Sequence, residues 1–224
     1  MASVRALVVG NGHDFDPGFV GHRLREHGYA FTELHREHPD RWPALADVDL
    51  ILTLGSEWHA YEPATSEFVE AEAALVRNVV AQGRPLIAIC FGAQVLSLAL
   101  GGQVTRTPTP EIGWFAVEMK DPDVPASGPW MEWHDDVFTV PEGFDELATS
   151  GSGPQLIRSR RVLATQFHPE ATESMIASWL SQGGAEQLRE LGGDPDQLLA
   201  ETRTQVVSSK IRAARLVDWF LATS

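Results

Sequence analysis

The stretch Pro85-Leu-Ile-Ala-Ile-Cys-Phe-Gly-Ala-Gln94 decides how this chain is read. Residues 86–90 form a short apolar run with branched side chains, the pattern of a fully buried strand. Residues 91–100 stay apolar over helical length and stop at Gly101-Gly102. The chain's one cysteine, Cys90, sits at the junction. A side chain placed where a strand turns sharply into a helix is exposed at the end of the sheet, beside the helix N-terminus. The helix dipole and its free amides favour a thiolate there, and the same amides can hold an oxyanion. Gly92 lets helix and strand pack closely. A lone Cys in an apolar strand can also be a small buried hydrophobe, so this segment needs a partner elsewhere in the chain.

Upstream, the same alternation of strand and helix repeats. Residues 4–10 read as a buried strand that breaks at Gly10-Asn11-Gly12. Residues 17–27 fit a helix with Pro in the first turn and Gly28 at its end. Residues 29–34 make a second strand and residues 50–54 a third, ending at Gly55-Ser56. Residues 66–82 form a helix with Ser66 as N-cap, early acids and an inward face of Phe68, Leu75, Val76 and Val79. Such spacing predicts an α/β fold, a mostly parallel sheet with helices on both faces.

Downstream the texture changes. The runs 115–119, 137–140, 156–157 and 162–166 alternate with Pro and Gly turns and predict an antiparallel extension of the same sheet. Residues 173–181 form a short helix. A longer amphipathic helix starts near 197 or 201 and reaches 222, with Val206, Val207, Ile211, Val217 and Phe220 on its apolar side.

Length and charge narrow the class. At about 150 residues per domain, 224 residues suggest one domain, with a core of about 4–181 and a helical extension of about 184–224. The formal charge of -14 is repelled by phosphate and anionic lipid, so neither nucleic acid nor membrane is expected as a partner. One cysteine excludes an intrachain disulfide and a Cys-rich zinc site. No membrane span or signal-peptide pattern is visible, and the chain reads as cytoplasmic. Between Thr107 and Ile157 ten acids face the single cation Lys120. This reads as a solvated surface or as a docking face for a basic partner. His13, His22, His27, His35, His38 and His59 cluster early, but loop and helix-face positions suit them better than metal ligation, and neither metal nor cofactor is expected. His59, just after Gly55-Ser56, is a candidate to line a pocket.

The partner for Cys90 lies in Ala-Thr-Gln-Phe-His-Pro-Glu, residues 164–170. His168 follows an apolar strand, and Pro169 forces it into an extended or turn conformation. Glu170, two residues on, can orient the imidazole and keep it basic, the logic of nucleophile, base and orienter.

With these two segments in order, the chain resembles the class I glutamine amidotransferases. Cys-Phe-Gly-Ala-Gln matches the family's C-x-G-x-Q motif, and Phe-His-Pro-Glu its His-Pro-Glu motif. Residues 54–59 stand where the family has its oxyanion loop. Residues 110–117 and 130–144 are similar to the amidotransferase domains of GMP synthases. The chain has Ala88 and Ala93 where the family often has Gly and His or Met, and Leu54-Gly55-Ser56 in place of a Gly-Gly-Pro-like loop.

The resemblance implies a flavodoxin-like three-layer fold and a Cys90-His168-Glu170 triad. It implies oxyanion donors at Gly55 and Phe91. Glutamine would be gripped by Ser56, Gln94, His134, Asp135 and Asp136. The implied reaction is hydrolysis of the glutamine side-chain amide through a thioester, with ammonia passing to a separate synthetase subunit. A stand-alone γ-glutamyl hydrolase and an inactive binding or regulatory module are the alternatives.

Overall fold

The computed structural model describes residues 4–12, 14–45 and 48–224. Its architecture grows from four short, buried strands: β1 (Val4–Gly10), β3 (Leu50–Thr53), β4 (Leu86–Ile89) and β10 (Val162–Thr165). Near-continuous apolar runs suit parallel strands covered on both faces. β1 pairs in parallel with β3 and with β2 (Tyr29–His35). β3 pairs in parallel with β4, and β4 with β10. Beyond β10 the sheet turns antiparallel through β9 (Pro154–Ser159), β8 (Asp145–Thr149) and β6 (Glu118–Met119). The order is β2-β1-β3-β4-β10-β9-β8-β6.

Successive strand residues point to opposite faces, and this builds two cores. Ala6, Val8, Leu50 and Leu52 pack with Val20 and Leu24 of α1 (Gly18–Glu26) and Leu216 and Phe220 of α6 (Pro195–Ala222). Leu7, Val9 and Ile51 pack with Val76 and Val79 of α2 (Ser66–Ala81) and Phe91 and Leu96 of α3 (Phe91–Ala99). The mostly parallel α/β sheet with helices on both faces is therefore as the sequence predicts. No helix among the described residues is long and apolar enough to cross a membrane.

Several local expectations are corrected. The antiparallel region is not all one sheet. β5 (Val104–Ala116) and β7 (Pro129–Phe138) form a separate two-stranded ribbon. The sequence places the first of these strands at 115–119, yet β5 begins at Val104 and runs through Pro108 and Pro110 with a register shift between Arg106 and Glu111. Proline is tolerated here because β5 is an edge strand and the lost N–H has no partner to satisfy. Ser66 does not cap α2; its hydroxyl donates to the Pro63 carbonyl, and the helix is entered from a 3-10 turn at Pro63–Thr65. The inward face of α2 carries Val69, Glu72, Ala73, Val76 and Val79, while Phe68 and Leu75 are only half-buried.

The C-terminal helix starts at Pro195, capped by the Asp194 side chain, which accepts from Asp196 N–H. Its Val207 and Ile211 are exposed rather than buried, and Leu198, Ala213, Leu216, Val217 and Phe220 form the packed side. The short helix expected at 173–181 is α4 (Glu173–Trp179), and a π-type turn at Leu180–Gly184 joins it to a short α5 (Ala185–Glu190) that the sequence did not suggest. The acidic stretch divides: Glu111, Glu132 and Asp136 are buried, Asp135 pairs with Arg106, and Glu146 pairs with Lys120. It is not a continuous docking face. Of the early histidines, His13 lies outside the described residues; His27 pairs with Asp218 across α1 and α6.

One close approach holds the central elbow. A Cβ on Gly92 would fall 2.2 Å from Thr53 Oγ1 and 2.8 Å from the Thr53 carbonyl oxygen, both on the neighbouring strand β3. Gly92→Ala is expected to destabilise the fold by about 2–3 kcal/mol through overpacking, read as a lower urea midpoint by circular dichroism.

Candidate active site

Parallel pairing brings three chain ends to one rim of the sheet. Gly55 follows β3, Cys90 follows β4 and His168 follows β10. Register aligns Thr53 with Ala88, and Ala88 with Ala164. Cys90 is the hinge of the strand-to-helix turn, with φ 50° and ψ -107°. A non-glycine residue in this region is strained, and such strain persists only where the surroundings over-determine it. Here Cys90 N–H donates to Thr165 O at 2.7 Å, while its carbonyl accepts from Gln94 N–H at 3.1 Å. The residue is 5% exposed. Its Sγ accepts from Gln166 Nε2 at 3.5 Å and donates to the Trp133 carbonyl at 3.9 Å.

His168 is fixed from both sides. Its backbone N–H donates to Met131 O at 2.8 Å, and its Nδ1 lies 2.7 Å from Glu170 Oε1. The Trp179 ring packs on the imidazole at 4.9 Å between centroids. Nε2 is buried and makes no hydrogen bond among the described residues. Burial works against charging this imidazole. The Glu170 carboxylate and the adjacent Cys90 more than offset that, so its pKa is held well above the ordinary histidine value.

Gly55 completes the group. A Cβ on it would lie 3.0 Å from His168 Cε1 and 3.7 Å from Cys90 Cβ, so only glycine leaves this space open. Among the described residues, no acceptor takes the backbone N–H of Gly55 or of Phe91. Two free amides therefore flank Cys90, one from the loop after β3 and one from the first turn of α3.

The other expected residues divide. Gln94 is buried one turn into α3, behind Cys90. Ser56 Oγ accepts from Trp58 N–H at 3.0 Å and shapes its own loop. Asp136 is bound by His59 Nδ1 at 2.7 Å and donated to by Tyr61 at 2.9 Å, while Asp135 faces Arg106. His134 points inward: Nδ1 faces the Asp136 carbonyl at 2.9 Å, and Nε2 faces Glu111 at 3.2 Å and Glu132 at 3.3 Å. Its ring is thus taken by the protein on both nitrogens.

Two groups have the composition of a metal site, His59-Asp135-Asp136 and Glu111-Glu132-His134, with donor atoms within 4.8 Å of one another. In the second, burial opposes charging of His134, but Glu111 and Glu132 raise its pKa to about 10. The imidazolium is itself the cation between the two carboxylates. One positive charge against two negative ones leaves an excess, and burial pushes Glu132 up to about 7.

Sequence reasoning missed Glu111, Glu132, Tyr61 and Trp179 at this site. It also missed Arg36, wholly buried behind the Gly55 loop. Glu132 alternates with Met131 and Trp133 along β7, and its neighbour Trp130 is fully buried. A strand buried on both faces was the one available signal.

The residues 20–182 match the model of the family described as glutamine amidotransferase class-I. The chain belongs to the class I glutamine amidotransferases. Within the family, it is 34% identical over 160 residues to a GMP synthase [glutamine-hydrolyzing] of Bdellovibrio bacteriovorus, covering 69% of this chain and 30% of the relative. Over 217 residues it is 27% identical to the same-named protein of Staphylococcus aureus, covering 92% of this chain and 40% of the relative. The chain thus spans well under half the length of these GMP synthases. Its fold matches a glutamine amidotransferase from Thermotoga maritima with a TM-score of 0.88 at 24% identity, over 98% of this chain and 99% of that one. A glutamine amidotransferase from Methylobacillus flagellatus gives 0.83 at 23% identity, over 100% and 95%.

The buried cluster beside this amidotransferase site makes stability depend on pH. Glu132 and His134 both bind their proton more tightly folded than unfolded. Their contribution is therefore greatest at low pH and is lost as pH rises, through about 7 for Glu132 and through about 10 for His134. Glu132→Gln removes the first of these. Urea unfolding should show the variant gaining about 1–3 kcal/mol on the wild type between about pH 4.5 and pH 8.

Proposed function

We propose that this protein hydrolyses the side-chain amide of glutamine through a covalent Cys90 thioester and delivers the ammonia to an acceptor outside these 224 residues. One observation carries the reading: a His168-Glu170 pair at 2.7 Å is set beside a strained Cys90 elbow, with the backbone amides of Gly55 and Phe91 left without an acceptor among the described residues. The nucleophile stands at the end of β4, and base and orienter both follow β10, in the arrangement that activates a thiol.

In this reading His168 holds the thiol proton and Glu170 stabilises the imidazolium. Sγ attacks the γ-carboxamide carbon, and the carbonyl electron pair moves onto oxygen. Gly55 and Phe91 N–H groups receive that oxyanion; one such donor contributes about 3–4 kcal/mol to the barrier. The tetrahedral adduct collapses as His168 protonates the leaving nitrogen. Ammonia departs and a γ-glutamyl thioester remains. Water, deprotonated by His168, then releases glutamate and restores the thiol. Gln94, Ser56 and the backbone around Asp135 and Asp136 grip the amino-acid end. The His134 side chain, taken up by Glu111 and Glu132, supports that turn from within. Residues 1–224 act as one amidotransferase unit, and the partner is a separate synthetase, as the resemblance to the amidotransferase part of GMP synthases suggests.

Purified protein given glutamine is expected to release glutamate, with Cys90→Ser abolishing release and Glu170→Gln lowering kcat by about 100-fold or more. A glutamine-like electrophile should label Cys90, shown by intact-mass and peptide mass spectrometry. Turnover of γ-glutamyl peptides in preference to glutamine would instead indicate a stand-alone γ-glutamyl hydrolase. An unlabelled Cys90 and no turnover of either substrate would leave only a binding role.

A further inference from the structure

We infer that Arg36 is a positioning residue for the oxyanion site, a buried clamp that aims the Gly55 amide at the reacting carbonyl. The inference rests on the reading of Gly55 and Phe91 as oxyanion donors. Arg36 lies in the loop after β2 and touches neither Cys90 nor His168 through any hydrogen bond. It is 0% exposed.

A guanidinium has five N–H donors in a planar fork. All five are accounted for here. Nε donates to Glu72 Oε2 at 2.6 Å, and Nη2 reaches Glu72 Oε1 at 3.4 Å. Nη1 donates to Asn11 Oδ1 at 2.7 Å and to the Gly55 carbonyl at 3.0 Å. Nη2 also donates to the Leu54 carbonyl at 2.6 Å. The fork is held in turn: Arg36 N–H donates to Gly10 O at 2.9 Å, and the guanidinium lies 4.8 Å from the centre of the Phe91 ring.

The consequence follows from the planar trans peptide, in which C=O and N–H point in opposite directions. The Leu54 carbonyl and the Gly55 N–H belong to one peptide plane. With no cis peptide bond among the described residues, gripping that carbonyl turns the Gly55 N–H away from Arg36. On the side where a Cβ of Gly55 would project lies the site, 3.0 Å from His168 Cε1 and 3.7 Å from Cys90 Cβ. The loop's sequence does not supply this rigidity: Leu54-Gly55-Ser56 has no proline, and glycine has the widest conformational freedom. The same guanidinium packs on Phe91, whose amide is the second donor. One buried cation thus fixes both donors relative to each other.

Lysine would keep the charge but offers three donors from a single point and cannot bridge two carbonyls and a carboxylate. Arg36→Lys is the first variant. Arg36→Met with Glu72→Leu is the second; it removes the buried ion pair whole, which proteins tolerate better than an orphaned charge. Each is compared with the wild type by glutamine hydrolysis, by Cys90 alkylation with iodoacetamide and by crystal structure. Iodide displacement forms no oxyanion, so alkylation reports the thiol alone.

The clamp predicts that kcat falls about 100-fold while KM stays within about threefold. Alkylation should be unchanged, and the 54–55 peptide should rotate away from its wild-type orientation. An unchanged kcat in the folded variants overturns it. So does alkylation that falls in parallel with kcat, or a peptide that keeps its wild-type orientation. If the wild type itself does not hydrolyse glutamine, the functional reading fails, and the peptide orientation alone still decides the clamp.

Discussion

The structure depends on the parallel pairing of β3, β4 and β10. Parallel strands deliver their C-terminal ends to the same rim, so residues distant in sequence arrive side by side. Thr53, Ala88 and Ala164 share one level of the sheet. Gly55 and Cys90, each two residues further on, leave it together, and His168 follows four after Ala164. No side-chain contact is needed to bring the three together; backbone hydrogen bonds alone do it. Side chains then set orientation. This is why the elbow at Cys90 tolerates a strained φ: its amide and carbonyl are both committed to backbone partners.

The same constraint explains what the sequence revealed. Buried parallel strands are written as uninterrupted apolar runs, and those of β1, β3, β4 and β10 were legible. Cys90, His168 and Glu170 were legible because strand ends are marked by abrupt polarity, and because the two motifs are short and local. Arg36 was not. It stands in His-Arg-Glu-His, residues 35–38, a run that looks like solvated surface. Its burial is created by Glu72, thirty-six residues later on α2, and no local pattern encodes that pairing. Glu132 was hidden in the same way: a carboxylate among tryptophans on β7 gives no sign that His134 and Glu111 converge on it. The reversed face of α6 has another cause. Val207 and Ile211 are apolar but lie off the stripe, and apolar residues exposed singly are ordinary.

Net charge also reads differently once placed. The excess of acids in 107–157 suggested a solvated surface or a docking face for a basic partner. Instead several acids from 107–157 are internal and matched to specific partners: Glu111 and Glu132 to His134, Asp136 to His59 and Tyr61. Only the remaining exposed acids contribute to the surface field. Total charge therefore does not locate a partner for the acidic segment.

Two buried charged groups flank the elbow, and they differ in kind. On the α2 side, Arg36 and Glu72 form a pair that closes its charge and directs its five donors at fixed backbone and side-chain acceptors. On the β7 side, Glu111, Glu132 and His134 leave one negative charge in excess, relieved when Glu132 takes a proton. A closed pair has a field that falls off steeply and is suited to holding geometry. An unclosed cluster keeps a longer-ranged field, and its effect reaches the imidazole: Glu132 and His168 interact electrostatically. Residual negative charge behind the imidazole favours its protonated form, in the same sense as Glu170. The fold thus keeps a closed ion pair at the Gly55 loop and an unclosed acidic cluster that interacts with His168, each held by different elements.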